Sequence, residues 1–254
     1  MAPDEPSDPA LRRAVLAVDG PSGSGKSSVS RGVARRLRLR YLDTGAMYRA
    51  VTWWMLANGV DVDDPDSVAS RVGEIGLEVS TDPEHASIAV NGTDVSGPIR
   101  GPEVTAAVSA VSAVPAVRAR LVDLQRAAVG EGGIVVEGRD IGTVVLPDAT
   151  LKVFLTAHES VRSTRRADEL RERGIPAPAD SLESIRRRDR LDSTRAVSPL
   201  QRAEDAVVVD ATDLGLGDVI DLVARLLLDR LARPGVGSAP AALATGQQWV
   251  AGQQ

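Results

Sequence analysis

The segment at residues 20–27 constrains the fold of this chain more than any other feature of the sequence. It reads Gly-Pro-Ser-Gly-Ser-Gly-Lys-Ser and satisfies the pattern G-x-x-x-x-G-K-[ST] without a mismatch. A short apolar run at residues 14–18 precedes it, and from Gly25 to about Arg38 apolar residues recur every four positions on one helical face. The sequence therefore predicts a strand, a glycine-rich loop and a helix in direct succession.

A glycine-rich loop in this position is suited to binding phosphate. Its glycines let successive backbone N–H groups turn inward around phosphate oxygens, and the N-terminus of the following helix adds partial positive charge. Lys26 would bridge the β- and γ-phosphates of a nucleoside triphosphate, and the Ser27 hydroxyl would bind the accompanying Mg²⁺. The residues predicted to bind ATP are Gly20, Pro21, Ser22, Gly23, Ser24, Gly25, Lys26, Ser27 and Ser28.

The loop pattern alone indicates a nucleoside triphosphate and does not identify the reaction, since GTPases, motor ATPases and small kinases share it. Guanine recognition normally brings a segment Asn-Lys-x-Asp. The only asparagines, Asn58 and Asn91, are not followed by lysine. A GTPase is therefore disfavoured.

The remaining sequence alternates between strand and helix patterns. Buried strands are predicted at residues 134–136, 151–155 and 207–209, and helices within the ranges 41–58, 65–75, 101–129 and 217–231, with an interruption at Pro115. This alternation predicts an α/β fold, in which a parallel sheet has helices on both faces and ligands bind at the carboxyl ends of the strands.

Short alternating runs between residues 76 and 96, with a turn at Asn91-Gly92, indicate a small β insertion. Residues 1–13 are expected to be a flexible leader, because they are rich in proline and aspartate. Residues 14–232 would form the main domain, and the Gly-, Ala-, Pro- and Gln-rich residues 233–254 a disordered tail.

Composition excludes several kinds of function. The formal net charge of −5 argues against a general binder of nucleic acid or anionic membranes. There is no cysteine, and the two histidines, His85 and His158, are far apart, so thiolate and histidine metal sites are not expected. No stretch approaches the ~18 apolar residues of a membrane span. We expect a cytoplasmic monomer.

Arginine clusters supply candidate phosphate ligands, since guanidiniums bind oxyanions through paired hydrogen bonds. Arg188, Asp192 and Arg195 have helical spacing that would align them on one face, either toward a ligand or as a solvated ladder of ion pairs. A second basic face, Arg162, Arg165 and Arg166, would suit a helical lid over ATP or an ordinary exposed helix.

Residues 137–142 follow the predicted strand at 134–136 and should emerge at the carboxyl edge of the sheet, beside the phosphate loop. Arg139 and Asp140 form either a simple ion pair or a donor and acceptor for a base, because a carboxylate accepts from the exocyclic amine of cytosine. Glu137 is a candidate ligand for magnesium or an organiser of its water.

Together these segments resemble the bacterial cytidylate kinases of the nucleoside monophosphate kinase superfamily, which have a P-loop NTPase-type fold. The likeness covers roughly residues 14–230, and its specific segments lie at residues 19–26, 41–49, 138–143 and 190–199. The resemblance implies a parallel core sheet, an acceptor-binding insertion at about residues 49–125 containing the small β region, and a lid at about residues 162–190.

The resemblance also implies roles for individual residues. Arg49, Arg139 and Arg195 would hold the acceptor phosphate, and Arg188 and Asp192 the ribose. The cytosine edge would be read by Ser109, Arg118, Arg139 and Asp140. Charge on the transferred group would be stabilised by Lys26, Arg162, Arg166, Arg188 and Arg195. Two positions depart from the family: Ser27-Ser28 replaces the usual Gly-Thr, and Glu137 replaces a frequent Asp.

The reaction implied is transfer of the γ-phosphoryl group of ATP to CMP or dCMP, with Mg²⁺ as cofactor. Two alternatives remain at this point. One is a related kinase acting on UMP, AMP or shikimate; the other is a regulatory or assembly protein that binds ATP without turnover.

Overall fold

The computed structural model describes residues 8–172, 174, 181–195, 197–233 and 243–244. The strands are β1 (Val15–Asp19), β2 (Arg40–Asp43), β3 (Leu77–Val79), β4 (Ile88–Val90), β5 (Thr93–Asp94), β6 (Ile134–Gly138), β7 (Leu151–Thr156), β8 (Val207–Asp210) and β9 (Leu243–Ala244). The helices are α1 (Pro9–Arg13), α2 (Lys26–Leu37), α3 (Thr44–Ala57), α4 (Pro65–Arg71), α5 (Pro102–Ala113), α6 (Pro115–Val129), α7 (Glu159–Glu172), α8 (Ser181–Ser193) and α9 (Leu216–Ala232).

The central sheet is parallel, with strand order β2-β6-β1-β7-β8 and the two-residue β9 beside β8. The predicted α/β fold is confirmed. Strand β2 was not predicted, because only two of its four residues, Tyr41 and Leu42, are apolar. Its pairing with β6 defines it. Asp43 ends β2 and caps α3, since its carboxylate accepts from the backbone N–H of Ala46 at 2.9 Å.

Helices cover both faces of this sheet, as predicted. Val18 and Val135 face one side and pack with Val33 of α2 and Val223 of α9. The alternate strand residues face the other side, where they pack against α3, α5 and α6. Fully buried aliphatic side chains from both sides therefore form the core, and the phosphate loop begins where β1 leaves it.

The predicted insertion is present as an antiparallel sheet of β3, β4 and β5. Asn91 and Gly92 both have positive φ, 49° and 79°, as a tight turn between β4 and β5 requires. Helices α5 and α6 meet at Pro115 with a bend of 94°, which confirms the predicted interruption. Among the described residues no single helix is long and apolar enough to cross a membrane. Helices α5 and α6 reach that length and apolar composition only when they are taken together.

Helices α7 and α8 pack against each other in the region predicted as a lid. One detail of the prediction is wrong: α8 ends at Ser193, so Arg195 lies beyond the helix and does not share its face with Arg188 and Asp192. Residues 173 and 175–180 lie outside the described residues.

The predicted leader extends too far into the chain. Residues 9–13 form α1, where Asp8 caps the helix at Ala10, Pro9 occupies the first turn and Leu11 is buried. In the segment predicted as a disordered tail, residues 233–254, Leu243 and Ala244 pair with β8, so this part of the segment is ordered. Residues 1–7, 234–242 and 245–254 lie outside the described residues.

Candidate active site

The phosphate loop joins β1 to α2 in a conformation that requires glycine. Gly20 has φ of 154°, and a Cβ there would lie 2.1 Å from the carbonyl oxygen of Leu155. Gly25 begins α2 in the left-handed region, with φ of 91°. The loop is therefore held against β7 and leads directly into a helix N-terminus, as the motif predicts.

Lys26 lies buried at the start of α2. Its Nζ donates to the carbonyl oxygen of Pro21 at 2.7 Å and to Oγ of Ser24 at 3.4 Å. The pKa of Lys26 is lowered to about 7, mainly by burial and then by the guanidinium of Arg139, while Glu137 acts in the opposite direction. A polyanion beside the ammonium would favour its charged form.

Ser27 and Glu137 meet at the mouth of the loop. The Ser27 hydroxyl donates to Oε2 of Glu137 at 3.0 Å, and the buried Tyr41 hydroxyl donates to Oε1. Burial, and next the charge of Asp43, raise the pKa of Glu137 to about 7.

These hydroxyl and carboxylate oxygens are hard ligands of the kind that Mg²⁺ prefers. Within the described residues no group of three or more His, Cys, Asp or Glu could hold a metal alone. The donor set therefore fits an ion that takes most of its ligands from nucleotide phosphates and water.

A cavity of about 570 Å³ extends from the loop toward α3, α5 and α8. The predicted site residues that line it are Ser22, Gly23, Gly25, Lys26, Ser27, Ser28, Arg49, Ser109, Arg118, Glu137, Arg139, Asp140, Arg166, Arg188, Asp192 and Arg195. Gly20, Pro21, Ser24 and Arg162 belong to its surroundings rather than to its lining. The structure thus brings together residues that are far apart in the sequence, although their individual roles stay predictions.

Several guanidiniums also line the cavity. Burial, followed by the charges of Arg188 and Arg166, lowers the pKa of Arg49 to about 9. Burial and Arg139 lower the pKa of Arg188 to about 10. Because like charges are crowded here with little access to water, an anion placed among them would be strongly stabilised.

Asp192 partly balances this cluster. Its carboxylate accepts from Nε of Arg139 at 2.9 Å, and both side chains are largely buried. The Nε atom of Arg188 is buried and has no hydrogen-bond partner among the described residues. This donor would be satisfied by a ligand oxygen in the cavity.

At the far end of the cavity, Arg118 and Asp140 form a buried ion pair. The Arg118 guanidinium also lies over the ring of Tyr48, 5.5 Å from its centroid. Burial raises the pKa of Asp140, and Arg118 opposes that effect. Ser109 lines the same region from α5. A carboxylate, a guanidinium and a hydroxyl are thus available to the edge of a planar base.

The predicted lid arginines have different surroundings. Arg166 pairs with Glu169 at 2.7 Å and faces the cavity. Arg165 donates to the carbonyl oxygen of Ala211. Arg162 is buried and donates to the carbonyl oxygen of Ser22 at 2.8 Å. The Arg162 side chain therefore joins α7 to the phosphate loop in this structure.

Residues 16–228 match the family model described as cytidylate kinase. The chain belongs to this family. The cytidylate kinase of Streptomyces avermitilis is 53% identical over 220 residues, covering 86% of this chain and 94% of that protein. That of Rhodococcus opacus is 55% identical over 225 residues, covering 88% and 97%. A solved shikimate kinase from Acinetobacter baumannii, in complex with shikimate, is 16% identical to this chain, and the match covers 88% of this chain and 96% of that one. Its TM-score of 0.44 is too low for the likeness to indicate anything about this chain.

Four residues of this cytidylate kinase family member were missed by the sequence reasoning. Asp189 accepts from the Ser22 backbone N–H at 2.9 Å and from Arg162 at 2.5 Å. Arg100 lines the cavity and pairs with Asp43 at 3.1 Å. Asp19 accepts from two backbone N–H groups after β6. The fourth is Tyr41. Only Asp19 had a usable signal, its place at the end of a strand beside the loop.

Proposed function

We propose that the protein transfers the γ-phosphoryl group of ATP to CMP or dCMP, giving ADP and CDP or dCDP. The observation that carries this proposal is that residues of the phosphate loop and the buried guanidiniums line one and the same cavity. Membership of the cytidylate kinase family supports the same acceptor.

The donor would bind with its phosphates against the N-terminus of α2. Backbone N–H groups of the loop and Lys26 would hold the β- and γ-phosphates, and Ser27 and Glu137 would hold Mg²⁺. The ion would supply charge neutralisation at the phosphate oxygens. Lys26 and Arg166 both line the cavity and would stabilise the negative charge of the group in transfer.

The acceptor would place its phosphate among Arg49, Arg139 and Arg195, and its ribose beside Arg188 and Asp192, all of which line the cavity. An oxygen of this phosphate attacks the γ-phosphorus in line with the leaving ADP, so one P–O bond forms as another breaks. The attacking group is already an anion. No protein nucleophile or strong base is therefore needed, and no histidine is among the described residues that line the cavity.

The base would lie against Arg118, Asp140 and Ser109. The Asp140 carboxylate can accept a hydrogen bond from the cytosine amine, whereas uracil presents an oxygen at that position, which a carboxylate repels. The proposed site thus accounts for a preference for cytosine over uracil.

The test is an ADP-release assay with ATP and Mg²⁺ across CMP, dCMP, UMP, AMP and shikimate. We expect CMP and dCMP to give the highest kcat/KM. A preference for another acceptor would reject the cytidine assignment, and no transfer with any acceptor would favour a protein that binds ATP without turnover. Lys26→Ala should lower transfer by roughly 100-fold or more while the circular dichroism spectrum stays unchanged.

A further inference from the structure

The buried Tyr41 has a hydroxyl whose placement calls for an explanation beyond packing. Tyr41 lies in the centre of β2 and is fully buried among the side chains between the sheet and α2. A phenylalanine would fill the same space without burying a polar atom. Burying a hydroxyl is unfavourable unless it is hydrogen-bonded, and here the partner is the Glu137 carboxylate.

The sheet register brings these two side chains together. Tyr41 pairs with Val135, and Asp43 pairs with Glu137, in the parallel ladder of β2 and β6. Paired residues lie on the same face of a sheet, and so do residues two apart on one strand. Tyr41 and Glu137 are therefore diagonal neighbours on the face that α2 covers.

Helix α2 presents Ser27 and Arg31, one turn apart, to this pair. The Ser27 hydroxyl reaches Oε2 of Glu137, and the Arg31 guanidinium lies 5.3 Å from the centroid of the Tyr41 ring. Tyr41 and Ser27 thus hold the two oxygens of one carboxylate. Two donors at opposite oxygens fix both the position and the plane of that group.

We infer that Tyr41 is a positioning residue that orients Glu137, and through it the Ser27 hydroxyl, toward the divalent cation bound with ATP. With its proton donated to Glu137, the Ser27 oxygen keeps its lone pairs available to a cation, and Ser27 is the exposed member of the group. Tyr41 itself would contact neither nucleotide nor metal. This inference rests on the proposed function in assuming that ATP binds with a divalent cation at Ser27 and Glu137.

The test measures cation affinity without catalysis. Mn²⁺ is titrated into the protein saturated with a non-hydrolysable ATP analogue, and free Mn²⁺ is followed by electron paramagnetic resonance. The wild-type complex should bind Mn²⁺ more tightly than the nucleotide alone. Tyr41→Phe should weaken that affinity roughly tenfold, as expected for the loss of a hydrogen bond to a charged group.

Three comparisons separate positioning from packing. Tyr41→Phe in a Glu137→Gln background should change Mn²⁺ affinity by less than about twofold. In that background the charged carboxylate that Tyr41 is inferred to orient toward the cation is already absent. Tyr48→Phe removes the hydroxyl of the other tyrosine and should leave Mn²⁺ affinity unchanged. Affinity for the analogue in the presence of a chelator should be the same in wild type and Tyr41→Phe.

The inference is overturned if the wild-type complex binds Mn²⁺ no better than the free nucleotide, if Tyr41→Phe stays within about twofold of wild type, or if its loss persists in the Glu137→Gln background. Should Tyr41→Phe fail to fold, Glu137→Asp provides the second variant, since its shorter side chain should lose the same affinity. No acceptor is present in this experiment. A failure of CMP phosphorylation would therefore be recognised separately, in the acceptor assay.

Discussion

Asp19 links two segments of the site at the level of a single carboxylate. It ends β1 and accepts from the backbone N–H groups of Ile141 and Gly142, each at 2.8 Å. This contact joins the start of the phosphate loop to the turn that carries Arg139 and Asp140. Burial raises the pKa of Asp19 to about 6, although the two backbone hydrogen bonds act in the opposite direction.

A pH dependence of stability follows from this shift. Because the folded-state pKa lies above the ordinary value of 3.8, folding favours the protonated acid, and the contribution to stability is lost as pH rises through about 6. Relative to Asp19→Asn, the unfolding free energy of wild type should fall by about 2 kcal/mol between about pH 4.5 and about pH 7.5. Urea denaturation at several pH values measures this. A difference that is constant over the range contradicts the expectation.

Asp140 offers a prediction about specificity. Asp140→Asn replaces a carboxylate that can only accept with an amide that also donates, which mismatches the cytosine amine. KM for CMP should rise on the order of tenfold or more, while ATP affinity changes by less than about twofold. Steady-state kinetics and a separate ATP titration measure the two effects. The control is Asp205→Asn, outside the cavity lining; equal losses for both substrates would assign Asp140 a structural role.

The residues of the phosphate loop were predictable because their chemistry is local. The loop needs glycine at strained positions, a lysine and a hydroxyl at fixed spacing, and each of these is visible in eight consecutive residues. Tyr41 and Asp189 were not predictable. Tyr41 owes its importance to Glu137, 96 residues away, and Asp189 owes its importance to Ser22, 167 residues away, and to Arg162 on the neighbouring helix. Nothing in the adjoining sequence indicates these partners.

At the scale of elements, two hydrogen bonds and an ion pair connect α7 and α8 to the phosphate loop. Ser22 donates its backbone N–H to Asp189 and accepts from Arg162, and Arg162 pairs with Asp189. A Cβ on Gly23 would lie 2.7 Å from the carbonyl oxygen of Arg162, so the two backbones are close as well. The base of the lid thus packs directly on the loop that would hold ATP.

Removing the contacts among Ser22, Arg162 and Asp189 should destabilise the protein. Arg162→Met keeps an unbranched side chain of similar length but leaves Asp189 without its guanidinium. Removing one partner of a largely buried ion pair costs about 3 kcal/mol. Thermal unfolding and faster hydrogen exchange in α7 would report the loss. Arg171→Met provides the control, because the Arg171–Asp168 pair is exposed and should leave the unfolding midpoint unchanged. Equal effects of the two variants would contradict a role for the buried contacts.

Elements with a clear apolar pattern were predicted, including the short strands β3, β4 and β8, whereas β2 and α1 were not. Helices α2, α6 and α9 are long enough for their apolar spacing to be visible, and β6 and β7 are rich in buried apolar residues. Strand β2 and helix α1 depend on contacts with the rest of the fold. The position of Arg195 was wrong for a related reason: regular spacing predicts a shared face only while the helix continues, and α8 ends first.

At the scale of the whole molecule, the described surface has few large exposed apolar side chains. They are Leu191, Val197, Leu216 and Leu228. Leu216 also lines the cavity. Stable self-association usually buries a contiguous apolar patch. The monomer expected from the sequence stays a prediction. Analytical ultracentrifugation should give the mass of one chain at micromolar concentration, and a dimer mass would contradict this.

The gathering of Arg49, Arg139 and Arg188 has a consequence for how the folded chain is held together. The three side chains come from α3, from the turn after β6 and from α8, and the neighbouring guanidinium charges lower the pKa values of Arg49 and Arg188. In the proposed complex, the doubly charged phosphate of the acceptor at Arg49 and Arg139, with its ribose at Arg188, would cross-link three distant parts of the chain. The acceptor would thus be both the substrate of the reaction and a component of the structure that surrounds it.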